Sequence, residues 1–138
     1  MKWRKLEIQQ REDERGILKF LELGENTGLR ITRIFWIESP REAITRGNHA
    51  HRTCTQIFIC LKGQISVSLN SGDEKEVVVL TSDSPALVVE PLVWSTQEFT
   101  NPESLLLVGA DEPYDSEEYI SDWAEFSRLC SWIPKSRS

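Results

Sequence analysis

An all-β chain closed by one C-terminal amphipathic helix is the fold class this sequence predicts, and three observations carry it. Short apolar, β-branched segments recur between turn residues from position 17 to position 110. Residues 64–69, Gln-Ile-Ser-Val-Ser-Leu, alternate polar and apolar without a break, the period of a half-buried strand. The tail changes period: Tyr119, Ile120, Trp123, Phe126 and Leu129 or Cys130 recur at helical spacing and form one apolar stripe.

Taken in order, residues 17–21 are apolar and strand-like, and Gly24-Glu25-Asn26 reads as a turn. Residues 29–37 are rich in β-branched and aromatic side chains, which suit a pleated surface. A polar loop over 38–46 precedes a strand that holds both histidines. Residues 57–61 run into Lys62-Gly63, the alternating strand follows, and Asn70-Ser71-Gly72-Asp73 has the composition of a hairpin turn. Residues 76–80, 86–90, 93–99 and 104–110 supply further short strands, each closed by Asp, Pro, Asn or Gly. This spacing favours a sandwich or small barrel over βαβ units. Asp115 and Glu118 have capping-box spacing, which predicts a helix over about 115–131.

With 138 residues, no repeat and no low-complexity linker, the chain reads as a single domain over 1–138 with room for a core. A net charge of −6 and a pI near 5.0 argue against nucleic acid and against an anionic membrane surface. A phosphorylated small molecule is still admissible, because a few arginines can cluster in an acidic protein. Cys54, Cys60 and Cys130 are odd in number and lack CxxC spacing, so they read as small buried hydrophobes. No apolar run of signal-peptide or membrane-spanning length is seen, and a cytoplasmic location is expected.

His49 and His51 are the only two histidines and stand two residues apart. On a strand, residues i and i+2 share a face, so both imidazoles project to one side. Histidine titrates near neutrality, which leaves two functional uses: holding a metal or moving protons. A pair of satisfied core histidines is the bland alternative. The flanking Arg46, Asn48, Arg52, Thr53 and Thr55 are all polar, and a polar cluster turned into a barrel needs a ligand to justify it.

Arg46-Gly47-Asn48-His49-Ala50-His51, with Gly63 twelve residues further on, resembles the first signature of the cupin superfamily, β-barrels of jelly-roll type. Metal-binding cupins add a glutamate after the pair and a third histidine on a later strand. Here Thr55 shares the face of His51, and residues 92–96, Leu-Val-Trp-Ser-Thr, contain no histidine. A catalytic zinc or iron usually needs three protein ligands, so a site without bound metal is expected.

The chain further resembles the TDP-sugar 3,4-ketoisomerases, small cupins that convert TDP-4-keto-6-deoxyglucose to its 3-keto isomer. The likeness runs over nearly the whole length. It includes Asp13-Glu14-Arg15-Gly16, Arg33-Ile34, the histidine segment, Gln56, Gly63, Asp83-Ser84-Pro85, Pro91-x-x-Trp94 and Tyr114-Asp115-x-x-x-Tyr119-Ile120. It implies a cofactor-free isomerase of deoxysugar or aminosugar biosynthesis in which His49 and His51 are the catalytic residues facing the hexose. One is the acid/base, and which one is open from sequence. It also implies substrate contacts from Arg15, Arg46, Asn48, Gln56, Trp94 and Trp36. Arg15 and Arg46 suit the diphosphate because guanidinium forks match phosphate oxygens. The family's strand tyrosine is absent from Arg33-Ile34-Phe35-Trp36-Ile37, and its Trp-His-Glu reads Trp94-Ser95-Thr96 here. Those replacements keep two alternatives in play: a non-catalytic nucleotide-sugar-binding cupin and a related cupin sugar epimerase. The resemblance also implies a homodimer, with Trp3, Leu6 and Ile8 offered for an exchanged edge strand.

Overall fold

The computed structural model describes residues 2–25, 27–41 and 43–132. Two five-stranded antiparallel sheets face each other. The first runs in the order β1 (Trp3–Leu6), β9 (Ala86–Val89), β6 (Gln56–Lys62), β11 (Leu105–Ala110) and β4 (Arg33–Glu38). The second runs β12 (Tyr119–Ile120), β5 (Ile44–His51), β10 (Trp94–Phe99), β7 (Gln64–Asn70) and β8 (Lys75–Thr81). A separate hairpin pairs β2 (Gln9–Asp13) with β3 (Gly16–Phe20). This is the jelly-roll architecture expected of a cupin.

The inner faces follow the period of two. On β7 the apolar positions Ile65, Val67 and Leu69 are buried, and they meet Phe58, Leu87, Leu106 and Val108 from the opposite sheet. The hairpin turn foreseen at 70–73 closes β7 onto β8: the Gly72 N–H donates to Asn70 Oδ1 at 2.8 Å, and Ser71 N–H to the Glu74 carbonyl at 3.0 Å. Between β6 and β7, Gly63 has φ +79°, and a Cβ there would lie 2.2 Å from Ser104 Oγ. Only glycine meets both conditions without displacing the β11 entry.

Three expectations are corrected. The strand expected over 29–37 begins at Arg33; Leu29 joins only an isolated bridge to Gly24. The helix expected over 115–131 is α1 (Trp123–Trp132), preceded by a 3-10 turn at Ser116–Glu118. The physical reason is tertiary pairing: Tyr119 and Ile120 are extended against His51 and Ala50, which forbids a helix there. Asp115 still caps, accepting from Glu117 N–H at 3.0 Å, while Asp122 caps α1 by accepting from Ala124 N–H at 3.1 Å. Of the apolar stripe, the helical part packs as its spacing implied, Phe126 meeting Ala50 and Ile120 with Leu129 and Cys130 beside them, while Tyr119 and Ile120 belong to a strand instead. Finally, β1 pairs with β9 of its own chain. Trp3 is buried in that core and its Nε1–H donates to Glu76 at 2.8 Å, so Trp3 is no free edge.

Candidate active site

β5 carries a bulge. Ser95 pairs with His49 while Thr96 pairs with Gly47, so Asn48 is the extra residue, with φ 65°. A bulge re-aims the side chains that follow it. Here it turns His49 and His51 inward and leaves Ala50 beneath α1.

His49 opens on a cavity of about 210 Å³ between the sheets. Its polar wall is Arg46 and His49 from β5, Gln56 from β6, Gln97 from β10 and Tyr119 from β12. Its apolar wall is Phe35 and Ile37 from β4, Phe58 from β6 and Val108 from β11. Tyr119 stands against both imidazoles, with ring centroids 4.9 Å from His49 and 4.5 Å from His51, and the two imidazoles are 5.1 Å apart.

The histidines differ in environment. His51 is only 6% exposed, and its Nδ1 meets Glu118 Oε2 at 2.5 Å. Glu118 Oε1 accepts from the Thr53 and Cys54 backbone N–H groups at 2.8 and 2.7 Å. Burial pushes the Glu118 carboxyl upward, but the bonds from His51, Thr53 and Cys54 outweigh it and hold it below the usual carboxylate range. An ionised Glu118 only accepts, so Nδ1–H of His51 is the donor of that bond. His51 Nε2 is buried with no hydrogen-bond partner among the described residues. His49 is pushed below its ordinary value by burial first and by the neighbouring His51 second, with the Gly47 carbonyl and the Glu118 charge opposing. The cavity therefore holds a neutral imidazole at neutral pH, a competent base.

Not every residue expected in the site lies there. Arg46 and Gln56 line the cavity with His49. Trp36 is 60% exposed on the outer face of β4, because the period of two turns its neighbours Phe35 and Ile37 inward. Trp94 faces outward for the same reason, since Ser95 and Gln97 take the inner face. Its Nε1–H donates to Asn48 Oδ1 at 3.3 Å, and its ring packs on Trp123 and Phe126 of α1. Asn48, lifted out by the bulge, is therefore also outside the cavity. Arg15 stands exposed at the β2–β3 turn, ion-paired to Asp13.

Four residues were missed. Glu118 was absorbed into a capping pattern, and Tyr119 into a helical stripe. Gln97 follows Ser95 at the strand period, which would have placed it on the histidine-facing side. Arg33 opened a recognised strand, yet its guanidinium lies 5.3 Å from the Phe35 ring and 5.6 Å from Tyr114, with Nε buried and without a hydrogen bond among the described residues. An unpaired cation stacked on two rings is a ready anion ligand.

His51, Cys54 and Glu118 bring ligand atoms within 4.8 Å of one another, the arrangement nearest to a metal site around this cavity. Their donors fit an ion poorly. Both Glu118 oxygens are engaged, and burial, then Asp111, push the Cys54 thiol up to about 11, so it stays protonated. Cys54, Asp111 and Glu112 form a second such group. There Asp111 accepts from Thr55 N–H at 2.8 Å and Glu112 from Thr53 Oγ at 2.9 Å.

A jelly-roll barrel whose paired histidines sit on one inner strand, one of them opening on a polar-walled cavity, defines a cupin. The chain belongs to the family described as FdtA: WxcM-like, C-terminal, whose model matches residues 1–131. It is 30% identical over 121 residues to the TDP-4-oxo-6-deoxy-alpha-D-glucose-3,4-oxoisomerase of Aneurinibacillus thermoaerophilus, covering 88% of this chain and 87% of that protein. Its fold matches the QdtA sugar 3,4-ketoisomerase of Thermoanaerobacterium thermosaccharolyticum, solved in complex with TDP, at a TM-score of 0.87 and 28% identity over 94% of this chain and 95% of that one. A 3,4-ketoisomerase from Helicobacter canadensis matches at 0.87 and 29% identity, over 95% and 98%.

Proposed function

We propose that the chain is a TDP-sugar 3,4-ketoisomerase that converts TDP-4-keto-6-deoxyglucose to the 3-keto isomer by histidine acid/base transfer, with no resident metal or cofactor. The observation that carries this reading is His49 opening on a polar-walled cavity of about 210 Å³, backed by the His51–Glu118 pair. The relatives' activity supports the substrate class.

The reaction needs a base for the C3 proton, a route for the hydroxyl proton and an acid at C4. His49 is the group that touches the hexose and takes the C3 proton. His51 sits behind it, its ring held through Nδ1 by Glu118, and tunes the field at His49. Tyr119, against both rings, offers the hydroxyl that the family's absent strand tyrosine does not. The nucleotide leaves the cavity past Arg46 and Arg33, whose guanidiniums receive the diphosphate. His49, Arg46 and Gln56 are retained from the sequence-derived site. Trp36, Trp94, Asn48 and Arg15 have no contact with the cavity inside one protomer.

The outer face of the first sheet presents Ile34 and Trp36 on its edge strand and Leu61 nearby, all exposed. Such a patch suits a self-complementary contact, and a homodimer is our reading.

The test is incubation of the purified chain with TDP-4-keto-6-deoxyglucose, with the ring carbonyl located by NMR. The carbonyl is expected at C3. A sugar left unchanged, with a thermal shift on adding TDP, would make the chain a binding module instead.

A further inference from the structure

We infer that the carboxamides of Gln97 and Gln56 hold O3 and O4 of the hexose and stabilise the enediolate formed between them. This deepens the ketoisomerase reading and rests on it.

Gln97 on β10 and Gln56 on β6 come from opposite sheets, are each 5% exposed, and line the same cavity as His49. A buried amide without a partner is costly. Yet among the described residues Gln56 makes no side-chain hydrogen bond, and Gln97 makes one, donating from Nε2 to Ser95 Oγ at 3.0 Å. One N–H and the Oε1 of Gln97, and the whole Gln56 amide, are left to the cavity's contents. Two local features aim Gln97. Ser95, opposite His49 in register, anchors its nitrogen. Gly47 makes room for its oxygen: a Cβ at that residue would stand 2.6 Å from Oε1.

The chemistry asks for this kind of group. The proton leaves C3 for His49 while its electron pair forms the C3–C4 double bond and charge moves onto O4. The O3 hydroxyl proton passes to O4, the C3=O bond forms, and a proton returns to C4. Atoms and electrons balance without an oxidant or reductant. Across the reaction O4 changes from carbonyl to hydroxyl and O3 from hydroxyl to carbonyl, so each oxygen needs a partner that both donates and accepts. A carboxamide does both; a guanidinium or ammonium only donates, and its charge would depress the His49 base further.

Gln97→Met and Gln56→Met keep length and lose the polar atoms. Calorimetry with TDP and with TDP-4-keto-6-deoxyglucose, alongside turnover, reads the result. Removing one oxyanion donor is expected to lower kcat about 10²-fold, with TDP affinity and melting temperature close to the parent. The affinity gained from the hexose over TDP alone is expected to shrink. Should Gln97→Met fail to fold, Ser95→Ala reads the same claim by unpinning the amide, with kcat lowered several-fold at unchanged TDP affinity. Variants that keep the parent's kcat and its hexose affinity gain overturn the inference. A parent that binds the sugar nucleotide without isomerising it contradicts the ketoisomerase reading alone, and the hexose affinity difference then decides the amide contact.

Discussion

His49 and His51 stand two positions apart on one strand, and their neighbours give them different work. His49 meets the cavity as a neutral base; His51 is sealed behind it and bonded to Glu118. Replacing His49 with Gln is expected to cut isomerisation by about 10²–10⁴-fold while TDP still binds, as calorimetry beside a turnover assay would read. The pH profile follows from the same environment. Because burial and His51 lower the His49 value, the acid limb of kcat/KM is expected below pH 6.5. Glu118 opposes that lowering, so Glu118→Gln is expected to move the limb further toward acid and reduce kcat. Glu118→Gln also has a stability signature. A carboxyl held below its unfolded value stabilises the fold above that value, and the benefit fades as pH falls through the lower, folded one. The melting-temperature gap between parent and Glu118→Gln should therefore be full above pH 4.5 and close under more acid conditions. The histidine pair was legible from sequence because strand spacing fixes a shared face, whereas Arg46 and Gln56 came from the family resemblance. Glu118 was not legible, since its partner is 67 residues away and its own neighbourhood spells a capping motif.

Strand period explains most of what the sequence revealed and also its errors. The even alternation of β7 placed Ile65, Val67 and Leu69 inside, as found. The same rule turns Trp36 and Trp94 outward, which a resemblance counted by motif alone had set beside the substrate. The bulge at Asn48 escapes such counting, for it shifts register only when β5 meets β10. Strand β12 escapes too, being two residues whose extended form exists only through pairing with β5. Gly47 tests the bulge. Its φ of +82° and the Gln97 approach at 2.6 Å both exclude a side chain. Gly47→Ala is expected to cost about 1–3 kcal/mol in denaturant unfolding and to lower turnover by displacing Gln97. Phe126→Ala, removing the buried ring that seats α1 on Ala50 and Ile120, is expected to cost about 3–5 kcal/mol by the same measurement.

At the scale of the molecule, the two packed sheets enclose the His49 cavity, β4, β6 and β11 from one side and β5, β10 and β12 from the other. The all-β class, the hairpin at 70–73 and the terminal helix were readable because each rests on local pattern. Which sheet face stays open is a property of assembly. Ile34, Trp36 and Leu61 are exposed together on the first sheet. Light scattering at micromolar protein is expected to return twice the chain mass, and Trp36→Ser to shift the mass toward one chain. A single-chain mass for the parent would remove the homodimer. The central claim, that the His49 imidazole carries hydrogen between adjacent ring carbons of the bound hexose, is tested most directly by NMR of the TDP-4-keto-6-deoxyglucose reaction in deuterated water. The carbonyl is expected at C3 with deuterium at C4, and both signals are expected to fade in His49→Gln. Deuterium entering carbon while the carbonyl stays at C4, or full labelling in His49→Gln, would contradict the claim.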